Sequence, residues 1–158
     1  MMHGLVLERH EQSDRKAQVA AMTVMDKAFD PAFGEAWTAS QLAGMMAMQG
    51  SWLTLARLDA ATLGFALVRS VFDESELLLL AVDPGWRGRR IGSALLRDCI
   101  ALARMRGIIT MHLEVRANNT ALHLYKNAGF GHVNTRTDYY RGNDGKLYDA
   151  LSYRLDLS

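Results

Sequence analysis

The sequence predicts an α/β fold (α+β) that contains one mixed, mostly antiparallel sheet of seven strands, flanked by about four helices. Hydrophobic residues recur at strand spacing and at helix spacing in alternating segments, in the order βααβββ-α-β-α-ββ. One helix separates two apolar strands, which indicates a parallel right-handed crossover, whereas three successive strands have the tight connections of antiparallel pairs. Helices are therefore expected on both faces of the sheet.

The first segments are predicted to be the strand Leu5–Arg9 and the helix Ser13–Phe29, with Ser13 or Asp14 as the helix N-cap. Helical spacing places four apolar residues along one side of this helix, where we expect them to face the core: Val19, Met22, Met25 and Phe29.

A second helix is predicted over Thr38–Met48, after a loop over Asp30–Glu35. Thr38 and Gln41 have the spacing of a capping box, in which each side chain accepts a hydrogen bond from the other residue's backbone N–H. Gly50 is expected to end the helix.

The remaining elements follow in close succession. Turn signals and apolar periodicity predict strands and helices with the following bounds: strands Ser51–Arg57, Leu63–Val71 and Leu77–Val82, helix Ile91–Arg106, strand Ile108–Val115, helix Asn118–Ala128, and strands Gly131–Tyr140 and Leu147–Leu157. Cys99 lies on an apolar stripe of the longest of these helices, so we expect it to pack in the core.

Composition limits the classes of function. The 158 residues are expected to form one domain, 1–158, and the 18 basic and 17 acidic side chains nearly balance, so neither direct nucleic-acid binding nor membrane binding is implied. The single cysteine and the lack of a leader or a long apolar run indicate a soluble, cytoplasmic protein. None of the five histidines has metal-ligand spacing, so no metal is expected; they are His3, His10, His112, His123 and His132.

The loop Arg87–Gly92 connects the strand Leu77–Val82 directly to a helix. Free backbone N–H groups at a helix N-terminus, together with the helix dipole, bind phosphate groups. Arg87, Arg89 and Arg90 add positive charge. The loop matches neither the GxxxxGK[ST] nor the GxGxxG fingerprint, and an ordinary turn with solvated arginines remains the alternative.

A second group of chemically useful residues follows the predicted crossover. On the strand Ile108–Val115, Glu114 shares a face with Thr110 and His112, opposite the more apolar face. Glu114 lies near the carboxyl end of this strand, where open α/β sheets bind ligands. Taken alone, such a glutamate is more often simply exposed, and Tyr125 on the next helix more often a packing residue.

These segments together resemble the GNAT N-acetyltransferase superfamily. LAVDP…RGRRIG resembles its acetyl-CoA motif, and its N-x-x-A-x-x-L-Y-x-x-x-G-F pattern is matched by Asn118, Ala121, Leu124, Tyr125, Gly129 and Phe130. LEVRANN…LYKNAGF and DYYRGNDGKLYDAL are similar to the RimI-type protein N-terminal acetyltransferases, which acetylate the α-amine of a small-subunit ribosomal protein. The resemblance covers roughly Thr38–Leu157 and implies the GNAT fold.

The resemblance implies a role for each matching position. Glu114 would be the general base and Tyr125 the general acid. Acetyl-CoA would be held by backbone groups of the strand end, by the loop and by the following turn: Leu80, Ala81, Val82, Arg87, Gly88, Arg89, Arg90, Ile91, Gly92, Ser93 and Asn118. Tyr139 and Tyr140 would line the acceptor groove. The loop Phe33–Thr38 resembles the helix–helix loop that helps to receive the peptide, where Trp37 is either a substrate-loop anchor or a hydrophobic staple.

Two positions depart from the pattern of the family. Arg90 replaces the first glycine of the usual [QR]-x-x-G-x-[GA] loop, and because positive φ is costly for a side chain we expect φ to be negative there. The spacing between Glu114 and Tyr125 is one residue shorter than in the RimI pattern, which affects the relation of base to acid.

The chemistry favours an α-amine as the acceptor. At pH 7.5 roughly a third of protein α-amines are neutral, against about a thousandth of lysine side chains. Two alternatives stay open: acetylation of a small-molecule amine or a lysine side chain on the same scaffold, and a non-catalytic module that only binds the coenzyme. The expected partner is a protein or peptide N-terminus, with a ribosomal protein as one candidate, and the chain is expected to be a monomer or a weak dimer.

Overall fold

A computed structural model describes residues 4–158. The strands are β1 (Leu5–His10), β2 (Ser51–Leu58), β3 (Ala61–Val71), β4 (Glu74–Val82), β5 (Thr110–Arg116), β6 (Gly131–Arg141) and β7 (Leu147–Asp156). The α-helices are α1 (Arg15–Ala28), α2 (Ala39–Met46), α3 (Ile91–Met105) and α4 (Leu122–Asn127), and short 3₁₀ turns occupy Pro31–Phe33 and Pro84–Trp86.

All seven strands form one sheet in the order β1-β2-β3-β4-β5-β7-β6. β4 and β5 are parallel, joined through α3, and the other neighbours are antiparallel, so the predicted mixed, mostly antiparallel sheet is confirmed. The last hairpin inserts its second strand, β7, between β5 and β6. Residues of β6 therefore reach β5 only across β7.

Apolar side chains form one core on each face of the sheet. Trp52, Ile91 and Cys99 belong to the core under α3 and α4, and Leu42 and Phe65 to the core under α1 and α2. All five are 0–1% exposed. Helices lie on both faces, as the sequence predicts, because each face of the sheet is apolar and needs a covering layer.

A β-bulge in β4 changes which side chains face each core. Leu67 pairs with Leu79 and Val68 with Leu77, which leaves Leu78 as the extra residue in β4. An extra residue reverses the alternation of side chains along a strand. Leu77 consequently joins the core under α3, and Leu79 joins the core under α1 and α2.

The paired part of β4 and β5 is short. Only Glu74, Ser75 and Glu76 of β4 have partners in β5, at its first three residues. Beyond that point the two strands separate. The backbone groups at the carboxyl end of β4 that would pair with β5 are therefore free. This separation creates the cleft described below.

The helices differ in detail from the predicted ones. Val19 is 57% exposed, so its prediction as a core residue is wrong. The buried face of α1 consists of Ala17, Ala21, Val24 and Met25, and Val19 lies two residues from both alanines, on the opposite side of the helix. Asp14 is the N-cap, with Oδ1 accepting from the N–H groups of Lys16 and Ala17.

Two predicted helices are shorter in the structure. The Thr38–Gln41 capping box is present, but α2 ends at Met46, because a turn in which the Met48 N–H donates to the Met45 carbonyl follows it. α4 starts at Leu122 rather than Asn118, since the Asn119 side chain accepts from the Ala121 N–H and forms a turn there. Side chains that bond to nearby backbone groups compete with the helix in this way.

Candidate active site

A cleft of about 1420 Å³ opens where β4 and β5 separate. The end of β4, the start of α3, the end of β5, α4, the α1–α2 loop and β6 all contribute to its wall. The cleft brings together every predicted site residue except Arg89: Trp37, Leu80, Ala81, Val82, Arg87, Gly88, Arg90, Ile91, Gly92, Ser93, Glu114, Asn118, Tyr125, Tyr139 and Tyr140.

The open edge of β4 supplies backbone groups to the cleft. The Asp83 N–H donates to the Leu63 carbonyl at 2.7 Å, so residue 83 faces β3. Because backbone groups alternate in direction along a strand, the N–H groups of Val82 and Leu80 point to the free edge, while those of Ala81 point to β3. Three residues, Leu80, Ala81 and Val82, were predicted to offer backbone groups to the coenzyme. Of these, only Leu80 and Val82 have N–H groups that point to the free edge.

The N-terminus of α3 also faces the cleft. The first helical hydrogen bond is donated by the Ala94 N–H to the Arg90 carbonyl at 3.0 Å, and no side chain caps the helix. The N–H groups of Ile91, Gly92 and Ser93 therefore have no helical acceptor. With the helix dipole behind them, they form a site suited to a phosphate group.

Arg90 adopts the left-handed conformation, with φ +63° and ψ 20°. The prediction that φ stays negative at this position is wrong. A non-glycine residue in this region costs about 1–2 kcal/mol. The chain must turn sharply from the loop into α3, and the packing of Ile91, 1% exposed, holds that turn in place.

The other two loop arginines have partners within the protein. The Arg87 guanidinium donates to the carbonyl of Ala28, the last residue of α1, at 2.7 Å and so ties the loop to that helix. The Arg89 guanidinium lies 4.9 Å from the centre of the Trp86 ring and does not line the cleft. Arg87 and Arg90 are thus the loop cations that reach it.

Glu114 lies on β5 at the wall of the cleft, with its side chain 25% exposed. Its Oε2 forms an ion pair with Nη2 of Arg136, on β6, at a distance of 3.1 Å. The Arg136 guanidinium also lies 4.7 Å from the centre of the Tyr139 ring. One carboxylate oxygen of Glu114 is thereby engaged, which leaves the other to accept a proton from a ligand.

Charged neighbours surround this carboxylate. Partial burial, and next the negative charge of Glu114, raise the pKa of Glu76 on β4. His112, on the same face of β5 as Glu114, has its Nε2 3.1 Å from Oε1 of the exposed Glu74. His112 therefore contacts a surface carboxylate.

Tyr125 lies on α4 and is 7% exposed. Its ring meets that of Phe130 edge to face, with centroids 6.0 Å apart. Burial raises the pKa of the hydroxyl, and the negative charge of Glu35 raises that pKa further. The hydroxyl consequently keeps its proton at neutral pH and can act as a donor.

Trp37, Tyr139 and Tyr140, the residues predicted on the acceptor side, also line the cleft, together with Phe29 and Phe33. Trp37 also packs on the core that contains Leu42, the fourth residue of α2, as a hydrophobic staple does. The same residue therefore has the position of a staple and lines the cleft. The rings of Tyr139 and Tyr140 meet edge to face at 5.1 Å. Burial, followed by the charge of Glu114, raises the pKa of Tyr140.

Two arginines that were not among the predicted site residues contact residues lining the cleft. Arg116 forms an ion pair with Glu35 at 3.0 Å, and Arg136 forms the pair with Glu114. Arg116 follows Glu114 by two residues on β5, so strand alternation was a signal for it. No comparable signal existed for Arg136, because its approach depends on the insertion of β7 between β5 and β6.

Metal-binding clusters and membrane-spanning helices are both absent from residues 4–158. No group of three histidine, cysteine or acidic side chains there is arranged to hold a metal ion, and His3 lies outside the described residues. None of the helices in that range is long and apolar enough to cross a membrane. Cys99 is fully buried in the core under α3, as expected.

Comparisons with known proteins agree with this geometry. The sequence profile of the acetyltransferase (GNAT) family matches residues 19–130. The match spans most of the chain, and the protein belongs to that family.

Individual relatives point to a branch of the family. Over 95 residues the chain is 40% identical to the [ribosomal protein bS18]-alanine N-acetyltransferase of Escherichia coli. The aligned part covers 60% of this chain and 64% of that protein, so the chain matches slightly less than two thirds of the relative's length. The crystal structure of the ribosomal-protein-S18-alanine N-acetyltransferase from Escherichia coli superposes with a TM-score of 0.85 at 29% identity, covering 97% and 95% of the two chains. The structure of yncA from Salmonella typhimurium with its cofactor acetyl-CoA shares the fold, with a TM-score of 0.75 at 18% identity over 99% and 95%.

Proposed function

We propose that this protein transfers the acetyl group of acetyl-CoA to the α-amine of a protein N-terminus, in a ternary complex and without a covalent enzyme intermediate. One observation carries the proposal. A single cleft has free backbone amides and two arginines at one end and a carboxylate beside a tyrosine-rich hairpin at the other. The first end suits a diphosphate, and the second suits an amine.

The residues present fit the coenzyme. The N–H groups of residues 91–93 would bind the diphosphate, with charge from Arg87 and Arg90. The free N–H groups of Leu80 and Val82 would bind the pantetheine arm and polarise the thioester carbonyl. When bound, acetyl-CoA supplies an activated acyl group, so no nucleophilic side chain is needed and the buried Cys99 takes no part.

Glu114 and Tyr125 would handle the protons. Glu114, with one oxygen free of Arg136, would remove the proton of the acceptor amine directly or through water. Tyr125 would donate its proton to the sulfur as the thiolate leaves, a role that its raised pKa supports because the hydroxyl stays protonated. An α-amine, with a pKa near 7.7–8.0, requires far less help than a lysine side chain with a pKa near 10.4.

The name of the Escherichia coli relative supports a specific acceptor. That protein acts on the alanine of ribosomal protein bS18. We therefore propose an N-terminal alanine as the acceptor here, with bS18 as the first candidate, and the cytoplasm as the place of reaction.

A panel of acceptors tests the proposal. The protein is incubated with acetyl-CoA and each of the following: peptides with free N-terminal alanine, including the bS18 N-terminus, the same peptides blocked at the N-terminus but carrying an internal lysine, free amino acids and polyamines. Mass spectrometry should locate the acetyl group on the free α-amine. Turnover of a polyamine or of the internal lysine, with the free peptides untouched, would refute the proposed acceptor class.

A further inference from the structure

A nearly buried ion pair joins the catalytic strand to the loop on the acceptor side. Arg116 ends β5, two residues after Glu114, and only 7% of it is exposed. Its Nη2 lies 3.0 Å from Oε1 of Glu35, whose side chain is 16% exposed. Glu35 belongs to the segment between α1 and α2, residues 29–38, which we call the acceptor loop.

Arg116 makes two further contacts around the same guanidinium. Its centre lies 3.6 Å from the centroid of the Phe33 ring, so a cation–π contact adds to the ion pair. Its Nη1 donates to Oδ1 of Asn118, at the coenzyme end of the cleft. A planar guanidinium can serve all three partners at once, which a lysine ammonium cannot.

The other side of the acceptor loop is attached to the β6–β7 hairpin. The Phe33 ring meets the Tyr148 ring edge to face at 5.3 Å. The Ala32 carbonyl accepts from the Asn143 N–H at 3.0 Å. These contacts hold the first half of the loop.

In the second half of the loop, Trp37 packs on the core that contains Leu42, and the Thr38 N–H donates to Oε1 of Gln41. Arg116 is the side chain that holds Glu35. Within residues 4–158, the backbone N–H groups of Glu35, Ala36 and Trp37 make no hydrogen bond. A segment with few backbone bonds opens easily unless side chains hold it. Trp37, which lines the cleft, lies two residues after Glu35.

We propose that Arg116 is a positioning residue for the acceptor. It fixes Glu35 and Phe33, and so holds the acceptor loop in the conformation that forms one wall of the acceptor groove. The inference rests on the proposed function, because the groove is the place where an amine would meet Glu114. A charged pair at this depth fixes the orientation of the loop. A buried arginine needs its partners, and only one conformation of the loop provides them.

Loss of the pair should act on acceptor binding more than on chemistry. If the loop is ordered only part of the time, the apparent affinity for the acceptor falls by that fraction, while a bound acceptor still meets Glu114 and Tyr125. The expected change is therefore a higher KM for the acceptor with a smaller change in kcat.

Hydrogen exchange and kinetics of Glu35→Gln test the inference. Amide exchange of residues 29–38 should become about ten-fold faster or more. The KM for the acceptor should rise about ten-fold or more, with the Kd for acetyl-CoA, measured by calorimetry, changed less than about two-fold. Arg9→Gln is the matched control, because it breaks the Arg9–Asp98 pair, also partly buried at 2.8 Å, among residues that do not line the cleft.

Phe33→Leu is a second variant in case Glu35→Gln does not fold, since it removes the cation–π contact and leaves the charges paired. Unchanged exchange over residues 29–38 in the folded variants would overturn the inference, as would faster exchange with an unchanged acceptor KM. Failure of the proposed function has a different signature: the wild-type protein then acetylates no peptide. In that case, the effect of Glu35→Gln is measured on the KM for the amine that the wild-type protein does acetylate.

Discussion

At the scale of single residues, the site depends on side chains whose neighbours define their state. Glu114 has one oxygen held by Arg136, so the carboxylate has a defined orientation. Tyr125 is buried against Phe130 and keeps its proton. The proposed roles of base and acid require a carboxylate oxygen that is free to accept a proton and a hydroxyl that still carries one.

Substitution of these two residues separates catalysis from coenzyme binding. Glu114→Gln and Tyr125→Phe should each lower kcat by roughly 10²–10⁴-fold, because each removes a proposed proton-transfer group and little volume. The Kd for acetyl-CoA, measured by calorimetry, should stay nearly the same. Unaltered rates in both variants would remove the catalytic assignment. A wild-type protein that binds acetyl-CoA and acetylates no amine would instead support the non-catalytic module.

At the scale of elements, irregular strands and a strained helix start create the cleft. The bulge at Leu78 and the three-residue pairing of β4 with β5 open the sheet. Arg90 takes a left-handed conformation and so directs the first amides of α3 into that opening. Together these features leave a space between the ends of β4 and β5, and the N-terminus of α3 faces it.

Replacement of Arg90 tests the strain at this junction. Arg90→Gly should be more stable than Arg90→Ala by about 1 kcal/mol, since both lose the charge and only alanine keeps the penalty of positive φ. The comparison is made by urea unfolding. Both variants should bind acetyl-CoA more weakly than the wild type, because Arg90 lines the cleft. Equal stability of the two variants would mean that the left-handed conformation is absent.

At the scale of the whole molecule, buried titratable groups link stability to pH. Burial raises the pKa of the Cys99 thiol in the folded state, whereas the unfolded thiol has a pKa near 8.5. Above that pH the unfolded chain loses a proton that the folded chain keeps, so the stability contributed by a neutral Cys99 is complete below about pH 8.5 and falls as pH rises.

Cys99→Ala isolates this effect. The variant lacks the thiol, so the difference in unfolding free energy between wild type and variant should shrink by about 2 kcal/mol from pH 8 to pH 10. Urea unfolding at several pH values under reducing conditions measures it. Tyr125 contributes in the same direction only above about pH 10, since its folded pKa is also raised. A constant difference across this range would show that the thiol ionises in the folded protein.

Local patterns account for the parts of this protein that were predicted correctly. Alternation of apolar residues predicts the seven strands within a few residues, and the Thr38–Gln41 spacing predicts the capping box that begins α2. The predictions that failed have two origins: local turns end α2 early and delay the start of α4, whereas the buried face of α1 depends on contacts with the distant sheet. Alanines at positions 17 and 21 rather than Val19 face the core, because small side chains let α1 pack closely on the sheet.

By itself, the amino-acid sequence determined the order of the elements and the parallel crossover through α3, and it indicated residues that the fold gathers in one cleft, since these depend on neighbours within a few turns or strands. The tertiary structure alone decided that β7 lies between β5 and β6, that Arg136 reaches Glu114 across it, and that Arg116 pairs with Glu35. These contacts join residues 22 and 81 positions apart in the chain, and such pairings follow from packing and strand register rather than from any local pattern.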